Sequence, residues 1–175
     1  EALQARIRPH FLFNSMNTIA QLTRADPAMD EEVVQDLSDL FRATLADAER
    51  MTSLATELEL TRSYLRIEGQ RLGDRLRVVW DLEDLPEEAR VPMLVLQPLV
   101  ENAVYHGIEP APDGGTLTIA GRYRRGKVNL SVRNTLPPPG RESHRVGNQM
   151  AVENVRSRLA VRYGDAASLT VGGVD

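Results

Sequence analysis

Apolar residues recur at helical spacing through the first third of the chain. Leu3, Ile7, Phe11, Met16, Ile19 and Leu22 follow one another at three-, four- and five-residue steps. The pattern runs past Pro9, which predicts a helix kinked just before His10, because a proline removes one backbone hydrogen bond. Asp26-Pro27-Ala28-Met29-Asp30 breaks the pattern with capping chemistry. A second amphipathic helix then runs through Val33, Leu37, Leu40, Phe41, Leu45 and Ala48. Asp30, Glu31 and Glu32 lie in its first turn, where acids favour the positive end of the helix dipole. Two such helices cannot bury both apolar faces alone, so the hairpin is expected to pair with a second copy as a four-helix bundle. Met51-Thr52-Ser53 interrupts the periodicity, with Ser53 placed as an N-cap. A third helix follows, with Leu54, Leu58, Thr61, Leu65 and Leu72 on one side.

From about Gly73 the pattern changes. Arg75 to Glu83 reads as a strand, and Asp84 to Glu88 as a loop. Pro92 to Gly107 reads as a helix that starts at a proline and stops at a glycine, with Pro98 inside it leaving the Leu94 carbonyl unpaired. Thr116 to Tyr123 and Lys127 to Asn134 alternate around Arg124-Arg125-Gly126, the mark of a hairpin. Leu136 to Gly147, rich in Pro, Gly and charge, reads as a mobile loop. Gln149 to Tyr163 is a helix closed by Gly164, and Ser168 to Val171 a last strand. The expected class is α+β. A helical hairpin over residues 1–52 and a connecting helix over 53–73 precede helices layered on a mostly antiparallel sheet over 74–175.

Composition narrows the chemistry. A net charge of -4 and the absence of long basic runs argue against nucleic acid as the main partner. Lys127 is the sole lysine, which excludes a P-loop and most Schiff-base chemistry. With no cysteine there are no disulfides and no thiolate nucleophile, which fits a reducing compartment. His10, His106 and His144 show no metal-ligand spacing. No apolar run is long enough to span a membrane, and Glu1 to Ile7 already reads as helix, which predicts a fragment of a longer protein.

Two faces carry candidate chemistry. On a helical wheel His10 lies opposite the stripe of Phe11, Met16, Ile19 and Leu22, with Phe13, Asn14 and Asn17 beside it. An exposed imidazole can attack phosphorus through an unprotonated nitrogen, although a lone surface histidine is more often merely solvated. Phe13, an apolar ring on the polar side, marks a docking surface. On the Pro92 to Gly107 segment, Gln97, Glu101, Asn102, Tyr105 and His106 form a polar face. Glu101 and Asn102 offer hard oxygens of the kind Mg²⁺ prefers, against the plainer reading of a solvated face. The loop before Gly147 has the layout of a lid over a phosphate site, since helix N-termini attract anions.

Together these stretches resemble the LytS/AlgZ type of sensor histidine kinase, closest to the AlgZ branch, over nearly the whole chain. RPHFLFNSMNTI is similar to that family's phosphoacceptor box, which implies His10 as the phosphorylated residue with Asn14 beside it. LQPLVENAVYHG resembles the N-box of the gyrase, heat-shock, kinase and mismatch-repair (GHKL) ATP-binding domains. That resemblance implies Asn102 as a Mg²⁺ ligand, with Glu101, His106 and Gly107 lining the same site. GNQMAVENVRSRL resembles the glycine-box helix and implies Gly147, Asn148 and Asn154 near the nucleotide phosphates, while Asn134 stands where the family has its adenine-binding aspartate. Phe11 occupies the position where histidine kinases commonly have an acid.

The resemblance implies an ATP- and Mg²⁺-dependent protein-histidine kinase, homodimeric through its hairpin. It would pass phosphate from His10 to an aspartate on a response-regulator receiver domain. It further implies the cytoplasmic part of a bacterial inner-membrane sensor, attached through a missing N-terminal region. Asn134, together with Gln149 and Ala151 where the family often has glycines, motivates a second reading, a degenerate kinase acting as a dimeric scaffold or phosphatase that docks a regulator without productive ATP use.

Overall fold

The computed structural model describes residues 8–46, 49–138 and 145–172. Helix α1 spans Pro9–Ala25 and α2 spans Pro27–Leu45, with Asp26 between them. Asp26 ends the first helix and caps the second, its carboxylate accepting the Met29 N–H at 3.1 Å. Pro9 does not kink a running helix as the periodicity predicts. It is the first helical residue, where a missing N–H costs nothing, and Arg8 before it is extended at φ -64°, ψ 122°.

The buried stripe of α1 is Phe11, Ser15 and Thr18, backed by half-buried Ile19 and Leu22, whereas Met16 is 54% exposed. Ser15 buries in its place because its hydroxyl donates back to the Phe11 carbonyl at 2.7 Å and so needs no water. Val33, Leu37, Leu40 and Ala43 of α2 face the same core, while Leu45 is exposed.

Strand β1 (Met51–Ser53) leads into α3 (Leu54–Leu72), whose N-cap Ser53 accepts from the Thr56 N–H at 3.1 Å. Nearly every turn of α3 contributes a buried side chain, from Leu54 and Leu58 through Tyr64 and Ile67 to Leu72. It is therefore the axis around which α1, α2 and the sheet are packed. Full burial of each such side chain contributes about 1.5–3 kcal/mol. Phe11 meets Tyr64 with ring centroids 5.2 Å apart, and Arg66 holds the buried Asp36 through two bonds of 2.8 and 2.6 Å. On the other side, Arg62 lies 4.1 Å from the centroid of the Trp80 ring.

The sheet has the order β2 (Leu76–Glu83), β4 (Gly115–Arg124), β5 (Lys127–Asn134), with β2 and β4 parallel and β4 and β5 antiparallel. It is mixed rather than mostly antiparallel, because the connection from β2 to β4 carries a helix. In β4, Gly115, Leu117, Ile119 and Gly121 alternate inward. A separate ladder pairs β1 with β3 (Arg90–Pro92) antiparallel. Pro92 thus ends a strand instead of opening a helix. Helix α4 begins only at Gln97 and runs to Asn102, continuing as a π-helical turn over Ala103–Ile108.

Pro98 then sits in the first turn of α4 and breaks nothing. The Leu94 carbonyl, expected to be unpaired, accepts Arg158 Nη1 at 3.1 Å from α5 (Arg145–Tyr163). Ser168 to Val171 lies outside any strand, contrary to expectation. No helix among the described residues is long and apolar enough to cross a membrane.

Candidate functional site

The start of α4 is fixed by a buried carboxylate. Leu94 adopts φ 55°, a left-handed conformation that a branched side chain resists. Glu57 on α3, with no exposed surface, accepts the Leu94 N–H at 2.9 Å and the Leu96 N–H at 3.0 Å. Arg158 donates to the Met93 carbonyl at 2.5 Å from the opposite side. Burial pushes the Glu57 carboxyl above its usual range, against the pull of these backbone donors. With its first turn clamped, α4 has its polar residues set in direction.

Those residues are not a solvated face. Gln97 and Asn102 are buried, and Glu101 keeps 17% of its side-chain surface exposed. Gln97 donates to Glu101 Oε1 at 2.9 Å. The guanidinium of Arg8 reaches across from the start of α1. It donates to Asn102 Oδ1, lies 3.8 Å from Glu101 Oε2 and sits 4.9 Å from the centroid of Tyr105. Burial raises the pKa of Glu101, with Gln97 and Arg8 pulling the other way.

His10 comes to the same surface two residues later. Its ring meets Tyr105 edge-on at 5.3 Å. Its Nε2 lies 2.9 Å from Glu109 Oε1, and the Asn14 carboxamide reaches that nitrogen at 3.0 Å. A carboxylate only accepts, so the Glu109 contact needs a hydrogen on Nε2, whereas the Asn14 Nδ2 donor needs a bare lone pair there; the two contacts belong to alternative tautomers of the ring.

Glu109 is delivered by the π turn, where its N–H bonds to Val104 five residues back at 2.9 Å. Arg71 on α3 grips it through a fork of 3.0 and 3.2 Å and also donates to buried Glu68 at 2.7 Å. Burial works to raise the Glu109 pKa, but Arg71 and His10 overcome it and leave the carboxyl below its usual range. Glu68 is pushed up by burial despite Arg71. Arg75 donates to the carbonyls of Glu109 and Ala111 at 2.7 and 2.9 Å, fixing the backbone beyond the turn.

The candidate residues of the sequence motifs thus fall into groups. His10 and Asn14 meet each other, and Glu101 and Asn102 meet through Arg8. His106 lies beside Tyr105, ring centroids 4.9 Å apart. Gly107 packs so tightly on Asn134 that a Cβ there would lie 2.0 Å from Asn134 Nδ2. Asn134 itself donates to the Thr135 carbonyl at 2.9 Å. Gly147 and Asn148 lie in the first turn of α5, and Asn154 is exposed further along it. The expected lid is described only as far as residue 138, and His144 lies outside the described residues.

Arg8, Arg71 and Glu109 are site residues that the motifs do not single out. Arg8 sits inside the RPHFLFN stretch, so its neighbourhood is visible in the sequence, while Glu109 lies just past the glycine that reads as the helix stop.

Residues 1–76 match the family model described as histidine kinase. Over almost its whole length the chain is similar to curated sensor kinases. It is 35% identical to the sensor histidine kinase YpdA of Escherichia coli, covering 94% of this chain and 30% of that protein. It is 33% identical to the sensor histidine kinase BtsS of the same organism, covering 93% of this chain and 29% of that protein. The sensor protein LytS of Staphylococcus haemolyticus is 32% identical, covering 97% of this chain and 31% of the relative. The chain therefore spans about a third of the length of these relatives.

Proposed function

We propose that the chain is the kinase core of a two-component sensor, which phosphorylates His10 from Mg-ATP and hands the phosphoryl group to an aspartate of a response regulator. The observation that carries this reading is the meeting, on one surface, of an accessible imidazole (His10) with two hard oxygens, Glu101 and Asn102, that already hold a cationic group. The guanidinium seated there supports the fit of a cation to this donor pair. Mg²⁺ would be held by Asn102 and Glu101 and would neutralise charge on the nucleotide phosphates.

His106, Gly107 and Asn134 adjoin the same turn. With Gly147, Asn148 and Asn154 of α5 they are the residues proposed to contact nucleotide. In the transfer itself the imidazole nitrogen forms the new bond to the γ-phosphorus. The electron pair of the breaking P–O bond leaves with ADP, and the proton the ring loses passes to solvent. The protein's part is to position the groups and exclude water.

The exposed apolar residues of the first two helices, Leu12, Phe13, Met16, Val34 and Leu45, support the expectation of a second copy packed against them. Attachment to a membrane through a segment preceding this chain, with the chain itself in the cytoplasm, belongs to the same reading.

The test is labelling with γ-labelled ATP. Label that is acid-labile and alkali-stable, and lost in His10→Gln, is the expected result. Equal labelling of the variant would remove His10 from the mechanism.

A further inference from the structure

Arg8 contacts three residues of one helical stretch, Glu101, Asn102 and Tyr105, and is the residue immediately before the first turn of α1. Its guanidinium carries a permanent charge, so the Glu101 carboxylate already faces a cation and Asn102 Oδ1 already accepts a donor. A metal ion seeking Asn102 Oδ1 must displace it. Pro9 follows at once, and its locked ring couples the direction of Arg8 to that of the helix start carrying His10. His10 Nε2 is meanwhile committed to Glu109, a carboxylate anchored on α3 through Arg71.

We propose that Arg8 is a built-in occupant of the cation position and that it holds the molecule in a closed state, with the acceptor histidine parked on Glu109 until a metal ion displaces the arginine. This rests on the reading of Asn102 and Glu101 as metal ligands given above. Loading of the cation and release of His10 are then one event. By linkage, anything that pulls on the chain ahead of Pro9 raises metal affinity to the same degree that the metal loosens Arg8.

The probe is Mn²⁺ alone, titrated into the full chain without nucleotide and followed by loss of the free-ion paramagnetic resonance signal. Arg8→Ala should bind Mn²⁺ about tenfold more tightly than wild type, within the range usual for coupled sites. Arg8→Lys, which keeps the charge but loses the fork, should fall between them. The gain must vanish in Arg8→Ala/Asn102→Ala. In parallel, the His10 peptide should react faster with diethyl pyrocarbonate in Arg8→Ala than in wild type.

Equal Mn²⁺ affinity in wild type and Arg8→Ala, or a gain that survives the Asn102 substitution, overturns the proposal. If His10 is labelled by ATP while Mn²⁺ affinity ignores Arg8, the closed state is refuted and the kinase reading stands. If Arg8→Ala gains the metal but His10 accepts phosphate in neither wild type nor Arg8→Ala, the closed state stands and the kinase reading falls.

Discussion

His10 and Arg71 share a single carboxylate oxygen: Glu109 Oε1 lies 2.9 Å from His10 Nε2 and 3.0 Å from Arg71 Nη1. The arginine is rooted in α3 and the histidine in α1, so Glu109 joins the first helix to the middle of the fold at the point where chemistry is proposed. Arg71 also serves buried Glu68, which makes it the hinge-pin of two acids.

Arg71→Ala is therefore expected to destabilise the chain by about 3 kcal/mol, because it leaves two partly or wholly buried carboxylates without their cation. Urea unfolding followed by circular dichroism measures it. A loss below a few tenths of a kcal/mol would show that Glu68 and Glu109 find other partners.

The start of α4 depends on Glu57. Replacing it with Ala strips the Leu94 and Leu96 N–H groups of their acceptor while Leu94 is held at positive φ. A loss of about 2–3 kcal/mol is expected, with Glu57→Gln costing less because one amide oxygen can still accept. Hydrogen exchange at residues 94–100 should speed up in the Ala variant ahead of exchange in α3.

Gly107→Ala tests the packing of the π turn on β5. The new methyl would collide with the Asn134 carboxamide, and a loss of about 1–3 kcal/mol is expected. Combined with Asn134→Ala the loss should shrink, and a double-mutant cycle reads the coupling. Additive losses would mean that the Thr135 carbonyl, 3.2 Å from the same Cβ, is the real obstacle.

Glu68 gives a pH dependence of defined sign. Its folded pKa is raised, chiefly by burial, above the usual 4.5, so folding takes up a proton in the window above that value. Its contribution is complete at lower pH and is lost as pH rises through the folded pKa. Wild type should therefore lose ground to Glu68→Gln as pH rises above about 4.5. Glu109, with a lowered pKa, acts in the opposite sense and weakens the fold as acid protonates it. Melting curves of wild type, Glu68→Gln and Glu109→Gln on both sides of pH 4.5 separate the two.

What can be read from the sequence is what local chemistry decides. The Ser53 cap, the Asp26 break and the turn at Arg125-Gly126 each depend on residues within a few positions, and each falls where the pattern places it. Strands β1 and β3 have three residues apiece and exist only through the pairing of Met51–Ser53 with Arg90–Pro92, a relation no periodicity encodes. Hydrophobicity puts Met16 in the buried stripe, yet Ser15 takes that place because its hydroxyl is satisfied by its own helix.

The site divides the same way. His10 and Asn102 are marked by their motifs. The residues that hold them, Arg8 on one side and Glu109 with Arg71 on the other, work across long sequence separations; Arg8 shares the motif of His10, but its partners Glu101 and Asn102 are not written there. Phe11 stands where an acid is expected, and Glu109 brings an acid to His10 from 99 residues away.

The helix that carries Asn102 also sets a phase. An α-helix advances about 100° per residue, and the wider turn over Ala103–Ile108 accommodates one residue more than the regular spiral would. Deleting one residue between Val104 and Glu109 would let the Glu109 N–H reach the Val104 carbonyl at the ordinary four-residue spacing. Glu109 would keep its direction toward His10, since the regular spiral covers the same rotation with one residue fewer. The surplus amino acid is thus absorbed inside the widened turn, and the facing of acceptor and acid does not depend on it.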